Sequence, residues 1–352
     1  MARVGKIGVF LVRLQGYAIR KFLKINGLGN RDTVRLIGGE YNPNIDFQVI
    51  KVLPGGDSTK NRFVRRSGNE RFIFQDRYLL RVRDTYCDTL TGVLFTKSRK
   101  IIEDSSSWNK DFLRASGFPR PFLKTTKMNN TSDCIILPSN GFYHWLIEDL
   151  PSFIRAIEDY PAAKVVLFED SPLYAREFLI SLGREFKSAP RYIATNSTIF
   201  LTRGDSSGWP DKRDIEILRA YYKTLLQNQI LGKKVYVSRR FSSRSPAFEI
   251  ELEKKLESMG WLVVHSERLH LEEQVRIFSS AKVICGVGGS GLSSIIWAET
   301  GSKLIELSPE WYSPCFSRLC ATIGMDYHCI LFEEPKLSLN SVLTKISEAA
   351  QY

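Results

Sequence analysis

The stretch from Lys282 to Leu307, KVICGVGGSGLSSIIWAETGSKLIEL, most constrains the fold, because it joins two apolar runs through a glycine-rich turn and a helical segment. Val283 to Cys285 is predicted to be a strand, Leu292 to Ala298 continues at helical spacing, and Lys303 to Leu307 forms the next strand. The glycines let the backbone turn tightly and approach a ligand closely. Such a turn points backbone N–H groups at whatever lies above the sheet edge, which suits a phosphate.

The turn also fits a second pattern, since Gly286-x-Gly288-x-x-Gly291 has the spacing of the dinucleotide fingerprint. A dinucleotide-binding unit usually opens its domain and carries an acidic residue about 20 residues later. Here the turn comes late, and the acidic residue, Glu306, lies in the very next strand. Close packing of helix on strand and a nicotinamide or flavin site therefore stay open beside the phosphate site, and the position of the turn disfavours the cofactor site.

Length and composition predict an ordinary soluble protein. The 352 residues suffice for two domains, and 43% hydrophobic and 25% charged residues are typical of globular chains. No apolar run reaches the roughly 18 residues of a membrane span, and no signal-peptide pattern is present, so the expected location is the cytoplasm. The six cysteines form no C-x-x-C pair and there are four histidines, which predicts neither a disulfide framework nor a metal site.

The net charge of +12 is concentrated in the first 100 residues, which hold 20 Lys plus Arg against 8 Asp plus Glu. Residues 1–24 contain six basic and no acidic residues, with apolar residues at helical spacing. A basic amphipathic helix of this kind suits peripheral contact with an anionic membrane, and an ordinary docked helix with a solvated basic face is the alternative.

Residues 33–102 are predicted to form short strands and hairpins, because alternating runs are separated by turn sequences such as Pro54-Gly55-Gly56. Arginines between 62 and 83 are interleaved with aromatic residues. Nucleic acid, an anionic or lipid-linked acceptor, and plain solvated strand faces all fit that mixture. Solvated faces are the simplest of the three, and nucleic acid is not carried forward as a partner.

From about residue 132 strands and helices alternate, which predicts an α/β fold with parallel strands covered by helices on both faces. Thr202 to Asp214 is the best candidate linker, and a second sheet begins at Lys234. The predicted strands are 134–137, 163–168, part of 191–201, 235–238, 261–264 and 327–332, and the predicted helices are 140–157, 173–182, 215–230, 248–259, 271–279, 317–323 and 339–350.

A first candidate site lies in the segment Asn140 to Pro151. His144 and Glu148 are four residues apart, so on a helix they share a face and can meet across one turn. A carboxylate beside a histidine supplies a general base in many active sites. Tyr143 and Trp145 add aromatic surface of the sort that stacks on sugars. A local salt bridge near a helix start is the alternative.

A second candidate site follows the strand at 235–238, in the sequence Ser238-Arg239-Arg240-Phe-Ser-Ser-Arg244. Guanidinium groups at the carboxyl end of a parallel strand lie where such sheets bind ligands, and their forked geometry suits a diphosphate. A solvated basic loop is the alternative. Beside the glycine turn, the carboxylate of Glu306 is placed to accept hydrogen bonds from ribose hydroxyls.

These motifs together resemble glycosyltransferase family 61, formerly called a capsular polysaccharide biosynthesis family. The resemblance covers roughly residues 130–332 and is carried by His144-Trp145-Leu146-x-Glu148-x-Leu150-Pro151, by Ser238-Arg239-Arg240 with Arg244, by Glu249 and Glu273-Gln274, and by Gly288-Gly289-Ser290-Gly291-Leu292 with Glu306-Leu307-Ser308-Pro309. One departure is that the family's histidine in the turn is Gly288 here, so a donor contact by that imidazole is missing.

The resemblance implies a GT-B-like fold, with two Rossmann-like lobes, a cleft between them and a β-rich N-terminal portion. The segments would be a basic amphipathic N-terminus (1–30), an acceptor domain with the β-rich start (31–214) and a nucleotide-sugar-binding domain (215–352). In such a fold the last helix can pack back on the N-terminal lobe.

The resemblance also assigns roles. Glu148 would be the base, with His144 as its orienting partner or substitute, Asp149 as a weaker candidate, and Tyr143 and Trp145 on the acceptor. The donor would contact Arg239, Arg240, Arg244, Gly288, Gly289, Ser290, Gly291, Leu292 and Glu306.

The implied function is an inverting glycosyltransferase without metal or other cofactor. It would move a sugar from a nucleotide sugar to a glycan or lipid-linked acceptor during surface polysaccharide synthesis, at the inner face of the cytoplasmic membrane. The alternatives are a catalytically silent nucleotide- or carbohydrate-binding protein with the same fold, motivated by Gly288, and an NAD-dependent oxidoreductase.

Overall fold

A computed structural model shows a mixed α/β protein built on two larger sheets. The structure describes residues 33–37, 45–58, 63, 72–106, 125–128, 132–202, 207–223, 234–309, 314–332 and 338–351. The predicted basic helix at 1–24, several of the arginines interleaved with aromatics, and the end of the predicted helix 215–230 lie outside these residues.

Ten strands of the N-terminal half form one mixed sheet in the order β1-β7-β6-β5-β12-β9-β10-β11, with β2 on β5 and β8 on β12, while β3 and β4 form a separate hairpin. The strands are β1 (Thr33–Val34), β2 (Phe47–Leu53), β3 (Gly56–Asp57), β4 (Ile73–Phe74), β5 (Arg77–Asp88), β6 (Leu94–Phe95), β7 (Ile101–Ile102), β8 (Thr126–Lys127), β9 (Cys134–Leu137), β10 (Lys164–Phe168), β11 (Phe186–Ala189) and β12 (Tyr192–Leu201).

The prediction of parallel strands holds for only part of this sheet. The strands β9, β10 and β11 are parallel, but β12 pairs antiparallel with β5 along most of its length. Strand β12 itself also runs parallel to β9, so the strand of opposite direction is β5, which comes from the β-rich start. The β-rich start is therefore continuous with the sheet that follows it.

The first helical region has three parts: α1 (Phe142–His144), a π-helical turn (Trp145–Asp149) and α2 (Leu150–Asp159). Pro151 has no N–H and cannot bond the carbonyl four residues back, which accounts for the widened turn before it. The helix starts after Gly141 and has no side-chain cap, so Asn140 does not cap it, although asparagine is a common capping residue. Next come α3 (Leu173–Ser181) and α4 (Lys212–Tyr221).

The second sheet is wholly parallel, in the order β14-β13-β15-β16-β17. The central strand, Val283–Val287, is buried along its whole length, as a strand covered by helices on both faces should be, whereas the edge strand Asp326–Phe332 is partly exposed. The strands are β13 (Lys234–Val237), β14 (Leu262–Val264), β15 (Val283–Val287), β16 (Lys303–Pro309) and β17 (Asp326–Phe332), and the helices are α5 (Glu249–Ser258), α6 (Leu271–Ser280), α7 (Cys315–Ile323) and α8 (Leu339–Ala349), with 3-10 helices at Ser266–Arg268 and Ser290–Trp297.

Helix α4 joins the two halves. Its Asp214 accepts hydrogen bonds from Arg77 and Arg155 in the N-terminal half, and its Arg219 donates to the carbonyl of Ile296 in the C-terminal half at 2.6 Å. One hydrophobic cluster also contains buried residues of both sheets. The helix begins earlier than predicted because Asp211 caps it, accepting from the backbone N–H of Arg213 at 2.9 Å.

The buried side chains of the last helix pack on the C-terminal half. Val342 and Ile346 of α8 belong to a cluster built with Tyr236 and Leu252 of the second sheet and its helix α5. Within the described part of the chain, no helix is long and apolar enough to cross a membrane.

Candidate active site

A cavity of about 670 Å³ lies at the carboxyl ends of β13 and β15. The edge of a parallel sheet where strands end and helices begin is the usual place for a ligand. Both halves of the chain contribute to its wall, which is formed by Phe142, Pro172, Leu173, Tyr174, Glu177, Val237, Ser238, Arg239, Phe241, Ser242, Ser266, Glu267, Arg268, Leu269, His270, Gln274, Val287, Gly289, Ser290, Gly291 and Leu292.

The glycine turn and Arg239 fit against each other. A Cβ at Gly289 would lie 2.9 Å from the guanidinium carbon of Arg239, so only glycine lets the side chain lie across the turn without displacement. A Cβ at Gly291 would lie 3.2 Å from a methyl group of Val237. Ser290 is exposed at the start of the 3-10 helix, whereas the side chain of Leu292 is buried.

Arg239 is held at both its backbone and its side chain. Its backbone N–H donates to Glu249 Oε1 at 2.7 Å, and its guanidinium donates to the carbonyl of Gly288 and to Ser242 Oγ. Burial, with the nearby Arg244, lowers the pKa of the guanidinium. Desolvation strengthens the attraction of such a group for an anion.

The other two arginines of this motif do not line the cavity. Arg240 reaches back to Glu253, with Nη1 3.5 Å from Oε2, and Arg244 is exposed, with its backbone N–H donating to Ser242 Oγ at 3.3 Å. The structure therefore brings Arg239 alone of the three to the cavity wall.

Glu249 supports Arg239. It is one of the residues that carry the family resemblance, but the resemblance assigns it no role. It is buried at the start of α5 and accepts hydrogen bonds from both the Arg239 backbone and Tyr236 Oη. Burial raises the pKa of its carboxyl, and the hydrogen bonds oppose that rise. The carboxylate fixes the start of the loop that carries Arg239.

Glu306 and Gly288 lie beneath the turn and do not line the cavity. Glu306 is 2% exposed and accepts a hydrogen bond from Tyr327 Oη at 2.7 Å. A Cβ at Gly288 would lie only 2.7 Å from Glu306 Oε1. Glu306 therefore lies outside the cavity wall where a ribose contact was expected, and a side chain at residue 288 would have to displace its carboxyl. Burial raises the pKa of Glu306 to about 7.

The His144–Glu148 pair forms as expected from its spacing. His144 Nδ1 lies 3.0 Å from Glu148 Oε2, and Glu148 Oε1 accepts from the backbone N–H of Gly208 at 2.8 Å. The side chain of His144 is 37% exposed and that of Glu148 is 6% exposed. The imidazole therefore faces outward, and the carboxylate lies behind it.

The α1 segment reaches the cavity through Phe142, whereas His144 and Glu148 are not part of the cavity wall. Phe142 lines the cavity, and α1 packs against the 3-10 helix Ser290–Trp297. The neighbouring Tyr143 ring meets Phe316 of α7 edge to face at 5.8 Å. The α1 segment thus packs against elements that lie more than 140 residues later in the chain.

Three other predicted residues of this segment are buried. Trp145 is 0% exposed, and Tyr143 and Asp149 are also buried. The Trp145 ring packs against Tyr174 at 4.5 Å between centroids. Tyr143 and Trp145 are packing groups in this structure, and they do not form the exposed surface that contact with an acceptor needs.

The sequence interpretation missed the loop that holds Glu148. Gly208, in the predicted linker, has φ +78, and its carbonyl accepts from Arg318 Nη1 at 3.3 Å. The Arg318 guanidinium lies 3.6 Å from the centroid of the Trp209 ring. The sequence Gly208-Trp209-Pro210 was the available signal, because a tryptophan is unusual in a flexible linker.

A second cavity, of about 700 Å³, lies along the edge strand β17, and its wall includes Phe63, Tyr327 and Leu331. It is away from the carboxyl ends of β13 and β15. Among the described residues no cluster of three or more His, Cys, Asp or Glu side chains is placed to hold a metal ion.

Comparison with known proteins agrees with the motifs. The sequence model of the family described as Glycosyltransferase 61 matches residues 142–305. The chain is also similar to a beta-1,2-xylosyltransferase of Arabidopsis thaliana, with 28% identity over 81 residues, which is 23% of this chain and 15% of the relative. The match thus spans well under two thirds of that relative. The chain is thus similar to glycosyltransferase family 61 over a region that holds both the His144–Glu148 pair and the glycine turn.

Proposed function

We propose that this protein is an inverting, metal-independent glycosyltransferase that moves a sugar from a nucleotide sugar to a glycan or lipid-linked acceptor. The observation that supports it most is that one cavity is lined by Arg239 and the glycine turn from one half of the chain and by Phe142, two residues before His144, from the other. The family match supports the reaction class.

The donor diphosphate would lie against Arg239 and the start of the 3-10 helix. Backbone N–H groups at a helix start and a forked guanidinium both favour a diphosphate. Glycine at 289 keeps side chains out of the space between the turn and Arg239. As the sugar leaves, negative charge develops on the diphosphate, and a positive group fixed in advance stabilises that charge most effectively.

The geometry favours His144 as the base, with Glu148 as its positioning residue, which exchanges the roles expected from the sequence. Glu148 is buried and already accepts hydrogen bonds from Gly208 and, with the tautomer in which Nδ1 carries the proton, from His144. Its carboxylate would stabilise the imidazolium that forms. Nε2 would then be the nitrogen that takes the acceptor's proton.

The reaction is a single displacement. The acceptor oxygen forms a bond to the anomeric carbon while the bond from that carbon to the phosphate oxygen breaks. The hydroxyl proton passes to His144 Nε2, and the electron pair of the broken bond stays with the nucleoside diphosphate. Attack from the face opposite the leaving group inverts the anomeric centre.

The same proposal includes the GT-B-like lobes, the polysaccharide product and the contact with a membrane. The two sheets, with a cavity lined from both halves, are compatible with GT-B-like lobes. The product would be a surface or capsular polysaccharide, and the basic segment at residues 1–24 would keep the protein near lipid-linked acceptors at an anionic membrane.

The test is a transfer assay with the purified protein, EDTA, and a panel of UDP-, GDP-, CMP- and dTDP-sugars that includes a xylosyl donor. Release of the nucleotide together with an acceptor glycoside of inverted configuration, read by NMR, supports the proposal. Nucleotide binding without transfer to any acceptor would favour the silent binding protein, and binding of NAD alone would favour the oxidoreductase.

A further inference from the structure

An exposed aromatic ring stands beside the proposed diphosphate site. Phe241 is 46% exposed and lines the cavity with Arg239 and Ser242. The backbone N–H of Ser242 donates to the carbonyl of Arg239 at 2.8 Å, so Phe241 lies at the tip of a tight turn. The other two aromatic residues of the wall, Phe142 and Tyr174, are part-buried in a cluster with Trp145.

Cationic and aromatic groups contact the Phe241 ring, and one of them, Arg268, lines the same cavity. The Arg268 guanidinium carbon lies 3.5 Å from the Phe241 centroid, and the His265 ring meets it at 4.9 Å with a 65° angle. Arg240 lies farther away, at 5.6 Å. Because almost half of Phe241 is still exposed, these contacts hold the ring in place without covering it.

The distance from the diphosphate site suits one part of the donor. Phe241 is two residues from Arg239, so their Cα atoms are at most about 7 Å apart. In a nucleoside diphosphate a ribose of similar span separates the base from the phosphates. Bases stack on aromatic rings and on guanidinium planes whatever their hydrogen-bonding pattern.

We propose that Phe241, supported by Arg268, is the platform on which the base of the donor nucleotide stacks. This inference rests on the proposed function, because it places one part of the donor in the same cavity. It assigns Phe241 to affinity for the nucleoside, while Arg239 and the glycine turn serve the diphosphate.

The test is calorimetric titration with UDP, GDP, CMP, dTDP, the corresponding sugar nucleotides and sodium pyrophosphate on wild type, Phe241→Ala, Phe241→Tyr and Met259→Ala. Met259 is a matched control, since it is 45% exposed and does not line the cavity. For the nucleotide that binds best, we expect Phe241→Ala to weaken binding about tenfold or more. Phe241→Tyr and Met259→Ala should bind like wild type, and pyrophosphate affinity should be the same in all four proteins.

The failures are distinguishable. If wild type binds a nucleotide and Phe241→Ala binds it equally well, the platform is wrong and the proposed function stands. The same holds if Phe241→Ala loses as much affinity for pyrophosphate as it loses for the nucleotide. A loss seen with the sugar nucleotide but not with its nucleoside diphosphate would also overturn the platform, since the ring would then contact the sugar. If wild type binds none of the nucleotides, both proposals fail.

Discussion

The two sides of the cavity are built in different ways. On the β13–β15 side, backbone geometry places the groups: parallel strands end together, glycines make space, and Arg239 is fixed by Glu249 ten residues away. On the α1 side, long-range contacts place them, because Glu148 depends on the Gly208 loop sixty residues further along the chain. We therefore expect the first side to control nucleotide binding and the second to control the chemical step.

The largest effect should come from His144→Gln. Loss of a general base lowers the rate of transfer by about a hundredfold to ten-thousandfold. Nucleotide affinity should be unchanged, because His144 would act only on the acceptor. His328→Gln is the control, since His328 is an exposed histidine of β17 away from this cavity. Equal losses of rate and of nucleotide affinity in His144→Gln would contradict the division of roles.

Arg239→Lys should weaken nucleotide binding, which His144→Gln leaves unchanged. A lysine keeps the charge but loses the forked geometry, so nucleoside diphosphate affinity should fall roughly tenfold to a hundredfold. Arg244→Lys, the matched variant of an exposed arginine outside the wall, should bind like wild type. Calorimetry with both variants tests this. A larger loss of affinity in Arg244→Lys would show that the diphosphate binds near Arg244 and not at Arg239.

Glu306→Gln should change the pH dependence of stability. The pKa of the folded carboxyl is raised to about 7, so between roughly pH 4.5 and 7 the folded state binds more protons than the unfolded state. The free energy of unfolding of wild type should therefore decrease as pH rises through that window, by about 3 kcal/mol, and level off above it.

The glutamine variant cannot ionise, so this decrease should be absent from it. Urea unfolding at pH 5 and pH 8 measures the difference between the two proteins. An unchanged pH profile in Glu306→Gln would show that the carboxyl under the turn is ionised throughout.

A smaller effect is expected from Gly208→Ala. Alanine at φ +78 costs about 1–2 kcal/mol, and its Cβ would lie 3.3 Å from Cys315 Sγ. Gly183→Ala is the matched control, since Gly183 has φ +62 and open space around its Cβ position. Both variants should melt at lower temperature, but only Gly208→Ala should lose transfer activity. Equal activity of the two variants would show that the loop does not position Glu148.

The same contrast explains how much the sequence predicted. Strands β13 to β17 and the helices between them match the periodicity closely, because each is a continuous apolar or amphipathic run. The spacing of His144 and Glu148 predicted their contact because it depends on one helical turn alone. In both cases the information is local.

Predictions that depended on distant contacts did worse. The exposure of Trp145 and Glu306 could not be read from their neighbours in sequence, since each is covered by residues of other elements. The mixed N-terminal sheet arises because β12 pairs with β5, about a hundred residues earlier. Gly208 was assigned to a linker, although it donates to Glu148 across the molecule.

The most direct test of the account is a crystal structure with the nucleoside diphosphate that binds best. We expect the diphosphate between the Arg239 guanidinium and the backbone N–H groups at Ser290, with His144 facing the position of the sugar. A nucleotide bound elsewhere, such as in the cavity lined by Phe63 and Tyr327, would contradict the central claim.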